Sequence, residues 1–116
     1  MPVKVLIERS VRKGYEGAVW QMLRDMRAEA VRTRGYLYGE TWQSVDNPRV
    51  FMVLSVWSTL EHWEQWAKSE GRLKMDDRIG RLLRKPLTVR IFQDGTDPSA
   101  AAPLEWTGEP PQPRRR

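Results

Sequence analysis

The sequence predicts an α+β fold with the element order β-α-β-β-α-α-β, and three observations carry that expectation. Short β-rich segments lie near the start, in the middle and close to residue 90. Between them, apolar residues recur at spacings of three and four, the signature of one buried helix face. The last part of the chain turns to Gly, Pro, Ser and Arg and has no pattern that builds a core.

Residues 3–9 (VKVLIER) alternate as a strand, with Val3, Val5 and Ile7 on one face and Leu6 making the other partly apolar. Gly14 precedes a helical stripe of Tyr15, Val19, Met22, Leu23, Met26 and Ala30, spanning about 18 residues. Gly35 follows it, where a left-handed cap is expected. Residues 36–45 and 50–57 are rich in aromatic and β-branched side chains. Asp46-Asn47-Pro48 separates them as a turn, because a residue before proline is pushed out of the helical region. The two strands therefore form a hairpin, with Tyr36, Tyr38, Glu40 and Trp42 on one face of the first.

Ser58-Thr59-Leu60-Glu61 reads as a capping box, with Ser58 as the cap, for a helix carrying Trp63, Trp66 and Ala67. Gly71 interrupts it. A further helix over 72–85 places Met75, Ile79, Leu82 and Leu83 on one face and Lys74, Arg78, Arg81 and Lys85 on another, until Pro86 stops it. LTVRIF (87–92) is the last strand. Residues 1–93 thus read as one domain and 94–116 as a Pro/Gly/Arg-rich tail, with Leu104 and Trp106 as its large apolar residues.

This order is a ferredoxin-like split βαβ with a four-stranded antiparallel sheet. Strand 50–57 is apolar on both faces, with Phe51, Val53 and Trp57 on one and Met52, Leu54 and Val56 on the other. Helices cover only one side of such a sheet, and a second copy packed sheet to sheet is the simplest cover for the other. A homodimer is expected.

Composition narrows the chemistry. The 116 residues contain no cysteine, which excludes disulfides, thiolate metal sites and cysteine nucleophiles. A single histidine, His62, excludes a site needing two imidazoles from one chain. No apolar run reaches the roughly 18 residues of a membrane span, and MPVKVLIERS lacks a signal-peptide core, so a cytoplasmic protein without a membrane partner is expected. Neither a glycine-rich phosphate loop nor a Ser-His-Asp arrangement is present. The net charge of +5 is local: residues 71–90 carry seven basic and two acidic residues. The stripe Lys74, Arg78, Arg81 and Lys85 suits a solvated helix face, with attraction of an anionic substrate as the alternative. Nucleic acid is not the expected partner, because the aromatic residues lie in strands and apolar helix faces rather than beside the charge.

Among candidate functional residues, Trp63 shares a stripe with Leu60 and Ala67 and reads as core. Trp66 lies off that stripe and suits either packing or a pocket in which its indole orients a flat substrate. Trp42 and Tyr38 suit a pocket lining or a dimer seam. His62 is a general base if it faces a cavity and a surface residue otherwise. Arg9, at the end of the first strand, is either solvated or turned into the interior.

The segment RGYLYGETWQSVDNPRVFMVLSVWSTLEHWEQWAKSE (34–70), with a Gly-aromatic opening its strand, a hydrophobic strand ending in Trp57, and the Ser58–Trp66 stretch, resembles the antibiotic biosynthesis monooxygenase-like family of dimeric α/β barrels. The resemblance implies a cofactor-independent oxygenase acting on a planar aromatic or polyketide-like small molecule. It also implies, as alternatives, a non-catalytic binding module of the same fold or a heme-degrading enzyme with an altered iron ligand. In heme-degrading relatives an asparagine, a tryptophan and an iron-ligating histidine form the site, and Arg9, Trp66 and Asp76 stand at those positions here. The expected site therefore has Trp66 and Arg9 as catalytic residues and Trp63, Trp42, Tyr38, Asp76 and His62 as substrate-binding residues, with no metal and no cofactor.

Overall fold

Val3, Val5 and Ile7 are driven to one face of an extended segment by their spacing of two, and that segment becomes the inner strand of the sheet. The structure, a computed structural model, describes residues 1–95. Its elements are β1 (Val3–Ser10), α1 (Glu16–Val31), β2 (Tyr36–Gln43), β3 (Val50–Trp57), α2 (Leu60–Ala67), α3 (Glu70–Gly80) and β4 (Thr88–Gln93). The strands pair antiparallel in the order β2-β3-β1-β4, so the split βαβ, ferredoxin-like α+β fold is present as expected.

One hydrophobic core joins the inward face of the sheet to all three helices. Val3, Val5, Ile7, Phe51 and Trp57 come from β1 and β3, and Val19, Leu23, Met26 and Ala30 are the buried stripe of α1. Trp63 and Trp66 of α2 and Ile79 of α3 complete it. Tyr15 lies outside the helix and is exposed. The opposite face of the sheet carries Leu6, Met52, Leu54 and Val56, all half-buried, with Trp42 and Phe92 exposed beside them. Nothing in the described chain covers this face.

Local details depart from expectation for identifiable reasons. A register shift between Tyr36 and Tyr38 turns Tyr36 to the helix side of the sheet. Tyr38, Glu40 and Trp42 keep to the other face, so the four do not share one. Thr59, not Ser58, caps α2, its hydroxyl accepting the His62 amide, and the expected pairing with Glu61 is not made. Gly71 does not interrupt a helix. It sits in the first turn of α3, which Ser69 caps by accepting the Arg72 amide. That helix ends at Gly80 rather than 85, because Leu83 forms a bridge with Val11 and Arg84 donates its amide to the Ser10 carbonyl. Long-range pairing there outcompetes local helix propensity. The expected candidates Leu104 and Trp106 lie outside the described residues.

Gly35 has the positive φ anticipated, +89°, but in the turn into β2 rather than as the helix cap, which Arg32 provides in the right-handed region. A β-carbon at Gly35 would also fall on the His62 side chain. Gly35→Ala is therefore expected to cost about 2 kcal/mol or more, from backbone strain plus the clash. Adding His62→Gly, which removes the β-carbon as well as the ring, should restore only the steric part. Urea denaturation of the single and double variants checks this, and a single variant within about 0.5 kcal/mol of wild type contradicts it.

Candidate functional site

The alternation of β1 continues one step past Ile7 and places Arg9 on the inward face, where it is 1% exposed. A buried guanidinium needs a counter-charge, and α3 supplies it. Arg9 Nη2 lies 3.4 Å from Asp76 Oδ1, while Asp76 Oδ2 accepts a hydrogen bond from Arg72 Nε at 2.9 Å. Arg72 is itself buried, one turn before Asp76 on the same helix. Two cations thus share one anion, leaving the cluster with a net positive charge. Burial first, and the neighbouring Arg72 second, push the Arg9 pKa down to about 10 against the opposing pull of Asp76. It stays protonated at neutral pH. Its Nε has no hydrogen-bond partner among the described residues.

Aromatic rings hold this cluster in place. The Arg72 guanidinium carbon stands 5.2 Å from the Trp63 ring centroid and 5.8 Å from that of Trp66, within cation–π range of both. Trp66 stacks on Trp57 at 6.1 Å and 25°. Trp57 is wholly buried, meets Tyr36 and Trp63 edge-on, and donates its indole N–H to Ser55 Oγ at 3.0 Å.

Between α1 and the sheet lies a cavity of about 40 Å³, space for roughly three waters. Ile7, Leu23, Met26 and Val53 make it apolar, and Arg9, Arg72 and Trp66 also line it. Arg27 of α1 donates to the Gly39 carbonyl of β2 at 2.7 Å, and both residues border the cavity, so this bond straps the helix to the sheet beside it.

The residues proposed from sequence fall in four places. Arg9 and Trp66 line the cavity, and Asp76 joins Arg9 from behind. Trp66 is as buried as Trp63, so its place off the stripe does not expose it. Trp63 touches the cluster only through Arg72 and is core. Tyr38 and Trp42 lie on the other face of the sheet, where both donate to the Glu40 carboxylate, Trp42 Nε1 at 2.9 Å. The Tyr38 and Trp42 hydrogen bonds hold the Glu40 carboxyl below its ordinary range, and the bond to Glu40 raises the Tyr38 pKa. His62 is half-buried and does not line the cavity: its Nδ1 contacts Ser58 Oγ at 2.9 Å and Thr59 Oγ1 at 2.8 Å, and its ring packs on Gly35. The basic stripe is solvated, with exposed pairs Lys74–Glu70 and Arg81–Asp77. Arg72 is the residue missed, although the i, i+4 spacing of Arg72 and Asp76 was a usable signal.

The chain thus sets a ferredoxin-like sheet over a small apolar cavity with fixed positive charge at its lining. The chain belongs to the antibiotic biosynthesis monooxygenase family, whose model matches residues 2–77. No curated protein matches the sequence. Among solved structures, the chain is similar to a conserved protein from Methanosarcina mazei Go1, with TM-score 0.78 and 15% identity over 82% of this chain and 94% of that one. It is similar to Rv0793 from Mycobacterium tuberculosis, with TM-score 0.76 and 18% identity over 85% and 100%. SnoaB, a cofactor-independent oxygenase from Streptomyces nogalater, gives TM-score 0.74 and 13% identity over 84% and 96%. At these identities the likeness is one of fold.

Asp76→Ala would leave two buried guanidiniums without their shared counter-ion. A loss of roughly 3 kcal/mol is expected, as for other broken buried pairs. Asp76→Glu should lose less. A urea-denaturation series in which the alanine variant matches wild type would show that the pairing does not support the fold.

Proposed function

We propose that the chain is a cofactor-independent oxygenase for a planar aromatic or polyketide-like substrate, acting as a homodimer. The observation that carries this reading is an apolar cavity lined by both Trp66 and a protonated, incompletely bonded Arg9. Trp66 offers a flat surface against which an aromatic substrate is positioned. Arg9 stabilises the oxyanion charge that develops on the substrate, in an apolar surround that screens it weakly. The electron-rich substrate itself reduces dioxygen. For an anthrone-type ring, the ring methylene and one molecule of dioxygen give a ring carbonyl and one molecule of water. One oxygen atom is retained as the carbonyl, and the other leaves as water with the two methylene hydrogens. A cavity of 40 Å³ is far below the roughly 300–1,000 Å³ of ligand sites. Substrate entry therefore requires α1 to part from β2, across the Arg27–Gly39 hydrogen bond.

The residues present do not fit the heme-degrading alternative. Both oxygens of Asp76, at the position of the expected iron ligand, are committed to guanidinium groups. A non-catalytic binding module stays as the rival, and oxygen consumption separates the two. Uptake above the uncatalysed rate is expected with 1,8-dihydroxyanthrone in an oxygen electrode. Trp66→Phe should lower that rate by roughly an order of magnitude through misplacement of the substrate, leaving the assembly state unchanged. Absence of uptake by the wild-type protein favours the module.

The dimer is supported by the open face of the sheet. Its centre is apolar, Glu40 stands on the β2 edge and Arg90 on the β4 edge of that same face, an arrangement complementary to itself across a twofold axis. Sedimentation equilibrium at micromolar concentration should give a dimer, and Leu54→Lys should shift it to monomer. A wild-type monomer contradicts this assembly.

A further inference from the structure

Among the described residues, three that line the cavity are cationic, Arg9, Arg27 and Arg72, and none is acidic. The one carboxylate of the cluster, Asp76, is not among the lining residues. It engages Arg9 through Nη2 and Arg72 through Nε. Arg9 is almost wholly inaccessible to solvent, yet its Nε has no partner among the described residues. A buried guanidinium nitrogen left unbonded costs free energy unless a ligand completes it. A positive site in an apolar, weakly screening surround favours a ligand that brings the missing negative charge.

We infer that the ligand of this cavity enters already ionised, as a small organic oxygen acid whose carboxylate or phenolate oxygen is received by Arg9 and Arg72. This rests on the functional reading above for the identity of the site and sharpens its substrate class: one negative charge is already present on binding, and the charge that develops during reaction adds to it. The apolar lining from Ile7, Leu23, Met26 and Val53 takes the hydrocarbon part, and the guanidiniums take the ionised end. Selection is then for amphiphilic acids over their neutral isosteres. A neutral group of equal shape leaves the Arg9 Nε unpaired or weakly paired and forfeits the charge-assisted bond.

Calorimetry with matched probes on the full chain tests this. Benzoate against benzamide is the carboxylate arm, and 4-nitrophenolate against 4-nitroanisole at alkaline pH is the phenolate arm. At least one anion is expected to bind about tenfold or more tighter than its neutral partner, and the stronger arm names the acid type. Arg9→Met should reduce the anion to the level of the neutral compound, with Arg9→Lys recovering part of the difference. Arg72→Met carries the same expectation if Arg9→Met does not fold, as judged by circular dichroism. Equal binding of both members in both arms, no binding of any probe, or a tenfold preference that survives in folded Arg9→Met overturns the inference. The last outcome would assign the anion to arginines other than Arg9. Oxygen uptake plays no part in these measurements. A protein that selects benzoate but oxidises no anthrone keeps the anion site and loses only the oxygenase reading, and the reverse pattern does the opposite.

Discussion

A guanidinium on the inward face of a central strand is the constraint around which this molecule is arranged. Arg9 occupies a position that the alternation of Val3, Val5 and Ile7 reserves for an apolar side chain. Its charge is tolerable only because α3 brings a carboxylate to it across the core. That demand fixes the approach of α3, and Arg72, sharing the same carboxylate, is drawn inside with it. The faces of Trp63 and Trp66 then supply the low-cost surroundings that an exposed aliphatic wall would not. Trp57 stands behind them as the common contact of Tyr36, Trp63 and Trp66. Sheet, helices and cavity meet at one charge cluster and one aromatic stack.

The two faces of the sheet have separate duties, and the irregularity in β2 keeps them separate. Tyr36 joins the Trp57 stack on one side, whereas Tyr38, Glu40 and Trp42 form their own hydrogen-bonded group on the other. The Tyr36–Gly39 stretch is tight: a β-carbon at Gly39 would collide with the Tyr36 hydroxyl and press on the Leu54 carbonyl. Glycine is needed there for close approach of side chain and backbone rather than for an unusual φ. Members of the antibiotic biosynthesis monooxygenase family share the frame. The buried arginine pair with its shared aspartate is what gives the cavity of this chain its charge.

Period-two and period-three-to-four patterns were legible wherever burial is one-sided and local. They located β1, the stripe of α1, the hairpin of β2 and β3, and the apolarity of both faces of β3. Arg9, Trp66 and Asp76 were legible as candidates through family resemblance, and their proximity needed the fold. Other features depended on tertiary events. The bulge that re-aims Tyr36 leaves no mark in a simple alternation, and the end of α3 is set by pairing of Leu83 with Val11. Thr59 and Ser58 are adjacent hydroxyls, and only the backbone geometry decides which one caps α2. Arg72 was hidden for a different reason. In a segment so rich in basic residues, a charge that turns inward looks the same as its solvated neighbours.

The strand order β2-β3-β1-β4 has a consequence for how the chain acquires its structure during synthesis. Of the four strands, the one made before the other three is an interior one, flanked by residues 50–57 on one side and 88–93 on the other. Its arginine must wait for a partner 67 positions further along. Until then the nascent segment carries an uncompensated cation on its would-be buried face, which opposes premature collapse and pairing of that face with other apolar strands. The arginine that organises the finished molecule thus also acts earlier, before its ion pair forms, as a gatekeeper in vectorial folding. The sheet gains its last edge only when almost all of the described chain has emerged.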